Sequence, residues 1–278
     1  MQDRTIVAAR TKVGSDPLLL VDRSRAGIAL VTMNRPEQRN ALSLDMIDRL
    51  HARFTRLASD ATVSAVVLAA NGPVFSSGHD LKELTAHRAD ADKGLAFYTE
   101  AMTRCSAMMQ AIVACPKPVI AAVQGTATAA GCQLVATCDL AVASSEAQFC
   151  TPGVNIGLFC STPMVALSRN VSRKRAMEML LLGDMLSAKD AVDYGLINKV
   201  VAANQLLPEA LSLAAKIAQK SPLTVAMGKA AFYAQAEMPL KEAYAFAAKV
   251  MVDNMMARDA EEGISAFLDK RKPEWKGS

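Results

Sequence analysis

Two stretches of this chain could do chemistry with the main chain alone. Phe75-Ser76-Ser77-Gly78-His79-Asp80-Leu81-Lys82 is a turn of small residues that follows an apolar run. Gly125 to Asp139 reads GTATAAGCQLVATCD, and its small residues Ala127–Gly131 lead into a short helix predicted over Ala130–Thr137. N–H groups held in such turns can be aimed at an oxygen on which negative charge develops, and a helix N-terminus adds a favourable field. Donors of this kind need a tight backbone rather than a particular side chain, and one is worth about 3–4 kcal/mol where it has been measured. Either stretch alone reads equally well as a strand-turn-helix packed through small residues.

Side-chain chemistry is sparser. Six cysteines (Cys105, Cys115, Cys132, Cys138, Cys150, Cys160) are scattered without a CxxC pair, and no histidine of the three has a second ligand near it in sequence. That pattern argues against zinc, and no metal is expected. Most of the cysteines sit in apolar runs, which reads as buried, reduced thiols in a cytosolic-type compartment. A thiol nucleophile would need a depressed pKa, and none has an adjacent histidine to supply it.

The elements that must hold these turns alternate strand and helix. Leu18–Val21 and Ile28–Met33 read as strands across a hairpin, followed by a polar loop, Asn34–Asn40. Ser43 caps a predicted helix over Leu44–Leu57 whose Leu44, Ile47, Leu50, Phe54 and Leu57 share a face. Val63–Ala70 and Val119–Val123 are continuous apolar runs, each fitting a strand buried on both faces, with a helix over Leu95–Val113 between them and another strand at Leu140–Ala143. The order predicts right-handed crossovers and a mostly parallel sheet. After Ser161 the chain turns helical: Pro163–Arg169, Lys174–Leu182, a helix opened by a Ser187–Asp190 capping box, then Gln205–Gln219, Leu223–Ala234, Leu240–Met256 and Asp259–Leu268. Met251, Met255 and Met256 fall near helical spacing and suit a plastic packing or subunit surface.

Composition narrows the function classes. With 51% apolar residues the chain is globular, and a net charge of +4 with 5% aromatics lacks the basic stripe and stacking platform of a nucleic-acid binder. A few local cations would suit a phosphate-bearing ligand as well. No apolar run is long enough for a membrane span, and residues 1–14 read as an N-terminal tail rather than a signal or transit peptide.

The two turns, in this order, resemble the two halves of the oxyanion hole in the crotonase (enoyl-CoA hydratase/isomerase) superfamily. Met33-Asn34-Arg35-Pro36 to Asn40-Ala41-Leu42 resembles its N-R-P-x-x-x-N-A-L motif, and Ala266–Lys272 resembles its C-terminal helix end. FSSGHDLKEL, ATAAGCQLVA-CD, TPGVN and the KRKP-W ending are closest to its branch of enoyl-CoA hydratase domain-containing proteins. The resemblance implies an α/β fold. Residues 15–200 would form a spiral core of ββα turns, and residues 201–278 a helical region used in trimerisation, giving a trimer or a dimer of trimers. It implies an acyl-CoA thioester as partner, with no separate cofactor because CoA is part of the substrate, and no nucleic-acid or membrane partner. The location would be cytoplasmic, or the mitochondrial matrix in a eukaryote.

Residue by residue, the resemblance makes the N–H groups of His79 and Ala130 the two oxyanion donors. The second position is usually glycine in the family, and alanine there removes access to positive φ. Arg39 and Ala41 would lie beside the CoA moiety, Ser77, Asp80 and Leu81 would hold the adenine through backbone groups, and Lys82 would meet a phosphate. Phe267 and Lys270 would approach the CoA, often from a neighbouring subunit. The family's hydratases carry glutamates where this chain has Gln133 and Gly153, and Cys160 replaces a proline in G-x-x-P-G-x-G. Gln133 keeps a hydrogen-bonding amide but cannot exchange a proton at neutral pH, and Gly153 offers nothing. Losing both removes about 10²–10⁴ in rate per group. Cys150, Thr151, Cys160 and Ser161 would flank the acyl pocket, and an anion or water near the Thr151 hydroxyl could occupy the space vacated at Gly153. Three functions follow. One is an acyl-CoA lyase or isomerase with weakened or altered activity, another a non-catalytic acyl-CoA-binding or regulatory protein, the third a thioester hydrolase or decarboxylase. For the first, restoring glutamate at 133 and 153 together should raise hydration.

Overall fold

The structure, a computed structural model, describes residues 17–278; the tail assigned to residues 1–14 lies outside the described residues. The chain opens with β1 (Leu19–Asp22) and β2 (Gly27–Met33), followed by α1 (Leu44–Ala58) and β3 (Val63–Ala70). Next come β4 (Val74–Ser76), α2 (Leu81–Ala86), α3 (Leu95–Ala114), β5 (Val119–Val123), β6 (Thr126–Thr128), α4 (Ala130–Thr137), β7 (Leu140–Ser144) and β8 (Gln148–Cys150). Then follow α5 (Pro163–Asn170), α6 (Arg173–Leu182), β9 (Leu186–Ser187), α7 (Ala188–Tyr194) and β10 (Lys199–Val201). The remainder is helical: α8 (Leu206–Ala218), α9 (Pro222–Gln235), α10 (Leu240–Met255) and α11 (Arg258–Leu268).

The strands form two sheets. A six-stranded sheet has the order β1-β2-β3-β5-β7-β10, parallel except for the β1–β2 hairpin. A four-stranded sheet has the order β4-β6-β8-β9, with β9 antiparallel. Three times the chain runs from a long strand of the first sheet to a short strand of the second: β3 to β4, β5 to β6, β7 to β8. A helix follows each time. This is the expected spiral of ββα turns. The second sheet is the departure from the one parallel sheet predicted above, because β4, β6 and β8 are three residues each, too short to show a period.

The large sheet is buried on both faces, as its unbroken apolar strands require. Val66, Leu68, Val119, Ala121, Val123, Ala141 and Ala143 face the main core with α1 and α3. The alternate residues Ala65, Val67, Ile120, Ala122 and Val142 face α8, which buries Leu206, Ala210 and Ala214 at four-residue spacing. Thus α8, the first helix of the region after residue 200, is part of the cover of the sheet. Helices α9 and α10 bury no apolar residue of their own within the chain, and α11 packs against both.

One polar cluster ties this helical arm to the core. Lys229 of α9, its side chain 6% exposed, donates to Asp139 Oδ2 at 2.7 Å and to the carbonyls of Ile112 and Lys117. Asp139 also accepts from Tyr233 Oη at 2.9 Å and from the Val119 N–H at 2.7 Å. Asp139 follows the C-cap of α4, so the arm is fastened to the far end of the helix that begins at Ala130.

Candidate active site

The two turns singled out by their composition meet back to back. Gly78 has φ +82°, and a Cβ built on it would lie 3.0 Å from the Ala130 nitrogen and 2.9 Å from Ala129 Cβ. At Gly131 a Cβ would lie 2.3 Å from the Ser76 carbonyl oxygen. Only glycine allows either approach, and together they bring the His79 and Ala130 backbones to one place.

The main-chain donors of the two turns divide into free amides and spent ones. Ser77 N–H donates to Arg39 O at 3.1 Å, Gly78 N–H to Ser76 Oγ at 3.3 Å and Asp80 N–H to Leu42 O at 3.4 Å. The His79 N–H between them has no acceptor among the described residues. In the second turn Ala129 N–H donates to Cys150 O at 3.0 Å and Gln133 N–H to Ala129 O at 3.0 Å. The first three amides of α4, from Ala130 to Cys132, are left as the orphan donors of a helix start. Buried N–H groups are nearly always partnered, and Ala130 is fully buried, so its unpartnered amide stands out.

Local chemistry fixes each turn. Asp80 caps α2, its carboxylate accepting from the Lys82 and Glu83 amides and from Arg35 Nη1 at 3.0 Å. Glu83 reaches back to the Leu44 N–H at 3.0 Å, linking α2 to the first turn of α1. Asp80-x-x-Glu83 is a capping pattern legible in the sequence and missed there. In the second turn the strained residue is Ala129, at φ 50° and ψ −119°, whereas Ala130 is already helical. The alanine at position 130 therefore needs no positive φ, and the concern raised by the missing glycine moves one residue back.

The positions that lack acids are not equivalent. Gln133 is 5% exposed and its Oε1 is buried with no hydrogen-bond partner. At Gly153 there is no vacated space. A Cβ there would lie 2.7 Å from the Leu158 carbonyl oxygen and 3.0 Å from Cys160 Sγ. Leu158 N–H also donates to Gly153 O at 2.9 Å, so the turn through residues 157–160 is fastened down over the position. Thr151 Oγ1 donates to Met179 O at 2.9 Å. The anion or water expected in the space at Gly153, near the Thr151 hydroxyl, has no room there: the turn fills the space, and the hydroxyl already donates to Met179 O.

The remaining titratable groups do not replace those acids. Burial lowers the His79 pKa, and its Nε2 is buried without a partner. Burial pushes the Cys150 thiol up to about 11 and raises Cys132 and Cys160 as well. All six cysteines are free and buried. None is poised as a thiolate at neutral pH.

The structure brings most of the expected ligand-binding residues together. Arg39, Ala41, Ser77, Asp80, Leu81 and Lys82 share one rim, because Leu42 pairs with His79 in a short parallel bridge. Arg39, Leu81 and Lys82 are exposed there, whereas Ala41 is buried and Asp80 is committed to its cap. Phe267 and Lys270 stand elsewhere, on and just after α11, and both are exposed, Phe267 at 82%.

Comparison with known proteins places this arrangement. The sequence profile described as Enoyl-CoA hydratase/isomerase matches residues 23–278. The mitochondrial enoyl-CoA hydratase domain-containing protein 3 of Rattus norvegicus is 49% identical over 261 residues, covering 94% of this chain and 85% of the rat protein. The crystal structure of an enoyl-CoA hydratase from Mycobacterium smegmatis superposes with a TM-score of 0.88 at 52% identity, covering 94% of this chain and 99% of that one. That of human enoyl coenzyme A hydratase domain-containing protein 3 gives 0.88 at 47% identity, covering 93% and 100%. This chain belongs to the enoyl-CoA hydratase/isomerase family.

Proposed function

We propose that this protein binds an acyl-CoA thioester and polarises its carbonyl with the N–H groups of His79 and Ala130, without the two-carboxylate machinery for hydration. The observation that carries the reading is the pair of unpartnered amides brought together by the Gly78 contact with Ala130. Charge that develops on the thioester oxygen when the α-carbon reacts would be held by both donors, and α4 adds its N-terminal field. Arg39, Ser77, Leu81 and Lys82 form the rim for CoA, with Lys82 as a cation for phosphate.

The reaction follows from what is missing. Neither Gln133 nor Gly153 can move a proton, and the buried thiols stay protonated. Chemistry that needs only charge stabilisation therefore fits better than addition of water across a double bond. Thioester hydrolysis by free water or loss of CO₂ from an activated acyl group meets that condition. A non-catalytic acyl-CoA-binding role is the second reading, favoured by the closed space at Gly153. The exposed apolar side chains of α9–α11, among them Phe232, Leu240, Tyr244 and Met256, support a trimer or a dimer of trimers. In that assembly a neighbour would supply Phe267 and Lys270 to the CoA. Free buried cysteines suit a reducing compartment, the cytoplasm or the mitochondrial matrix. Among the described residues no helix is long and apolar enough to cross a membrane.

Calorimetric titration with CoA, acetyl-CoA and crotonyl-CoA, with product analysis by mass spectrometry, tests the proposal. Tighter binding of the thioesters than of CoA, with little or no hydration, is expected. Equal affinity for all three would overturn it.

A further inference from the structure

We infer that Asn40 and Ser76 are positioning residues for the first oxyanion donor, a role that rests on the thioester-binding reading above. Ser76 is fully buried, and its hydroxyl is a two-way relay: it donates to Asn40 O at 2.9 Å and accepts from Gly78 N–H at 3.3 Å. The Gly78 carbonyl in turn accepts from Leu42 N–H at 2.8 Å. Both hydrogen-bonding groups of Gly78 are therefore clamped, and the peptide that follows, which carries the His79 N–H, is left with one orientation.

Asn40 is the anchor of this clamp. It too is fully buried, with φ +49°, a left-handed conformation that asparagine tolerates better than most residues. Its Nδ2 donates to Asn71 O at 2.9 Å and Val74 O at 2.8 Å, and its Oδ1 accepts from Arg35 N–H at 2.9 Å. One side chain thus ties the loop from Arg35 to both ends of the β3–β4 connection. The same loop consumes the neighbouring amides, since Arg39 O takes Ser77 N–H and Leu42 O takes Asp80 N–H. Neither Asn40 nor Ser76 needs to touch the ligand. Their effect passes through Gly78 to the direction of one N–H.

The test separates carbonyl recognition from general stability. Acetyl-CoA and its thioether analogue ethyl-CoA differ at the carbonyl oxygen, so the ratio of their affinities reports the donors. The carbonyl stretch of bound acetyl-CoA labelled with ¹³C gives a spectroscopic reading of the same contact. Ser76→Ala should lower the affinity ratio by roughly threefold to tenfold, the size of one weakened hydrogen bond, and shift the stretch back toward its value in water. Ethyl-CoA binding should be unchanged. Asn40→Gly tolerates the backbone conformation and keeps the carbonyl that accepts from Ser76, and should move both readings the same way. Lys229→Met, destabilised at a distance, should move neither, which separates positioning from loss of stability. A wild-type preference for acetyl-CoA that survives in both Ser76→Ala and Asn40→Gly would overturn this assignment alone. No preference in the wild-type protein would overturn the thioester reading and this assignment with it.

Discussion

Restoring the missing carboxylates separates a lost side chain from a closed site. Gln133→Glu is nearly isosteric, at a side chain that already lacks a partner for Oε1. Gly153→Glu is different, because its Cβ would stand 2.7 Å from the Leu158 carbonyl oxygen and 3.0 Å from Cys160 Sγ. The turn must move, and the Leu158–Gly153 hydrogen bond must stretch or break. Overpacking of this kind costs about 1–3 kcal/mol, and a buried carboxyl without a partner adds roughly 1–3 kcal/mol more. In a chain of this size each kcal/mol lowers Tm by about 2–4 °C. The expected result is a clear drop in Tm for Gly153→Glu and for the double variant, with crotonyl-CoA hydration still well below that of a two-glutamate hydratase. Gln133→Glu alone needs no extra room, so it should lose only the roughly 1–3 kcal/mol of a buried carboxyl without a partner and gain hydration of about a hundredfold over background, the low end for one acid of two. Loss of the conjugated-thioester absorbance follows hydration, and differential scanning fluorimetry follows Tm. A double variant with wild-type Tm and vigorous hydration would refute the reasoning, since it would mean that the 157–160 turn does not occupy the glutamate's place.

Other perturbations test separate parts of the account. Ala129→Gly should raise Tm, because relief of about 1–3 kcal/mol of backbone strain exceeds the roughly 0.5–1 kcal/mol that glycine adds to the unfolded chain's entropy; a lower Tm would count against strain at φ 50°. Lys229→Met breaks the buried pair with Asp139 and should destabilise by about 3–5 kcal/mol in urea unfolding; a change near zero would show that the arm is held by other contacts. The His79 pKa is lowered by burial, so above the unfolded value of about 6.5 the residue is neutral in both states and contributes nothing. As pH falls below about 6.5 the unfolded chain takes up a proton that the folded chain resists, and stability drops. His79→Gln should flatten that part of the urea-midpoint profile, and an unchanged slope would contradict it. Iodoacetamide at neutral pH should label the native cysteines very slowly and all six after unfolding, because burial keeps the thiols protonated; rapid native labelling at Cys150 or Cys160 would reopen the nucleophile reading.

Much of this was legible in the residues. Long apolar strands such as Val63–Ala70 and the Ser43 cap of α1 have strong local signatures, and the structure has them within a residue or two. The capping box read at Ser187 forms only in part. Ser187 Oγ accepts from Asp190 N–H, but the Asp190 carboxylate accepts a hydrogen bond from the Ser187 hydroxyl instead of reaching back to the backbone. The second sheet was invisible because three-residue strands such as Thr126–Thr128 carry no period and pair only through distant partners. At Gly153 the sequence shows that a side chain is absent but not that the turn a few residues on closes over its place. Asn40 and Ser76 stand in motifs that the sequence displays, but their clamp on Gly78 is not legible there. Asn40 meets Asn71, Val74 and Ser76 across 31 to 36 positions of chain, and only the folded backbone brings them within reach.

Crystals of the protein with acetyl-CoA would test the central claim most directly. The thioester oxygen should sit within hydrogen-bonding distance, about 2.7–3.2 Å, of both the His79 and the Ala130 nitrogens. A carbonyl bound outside the reach of either nitrogen, with the CoA fully seated on the rim, would contradict it.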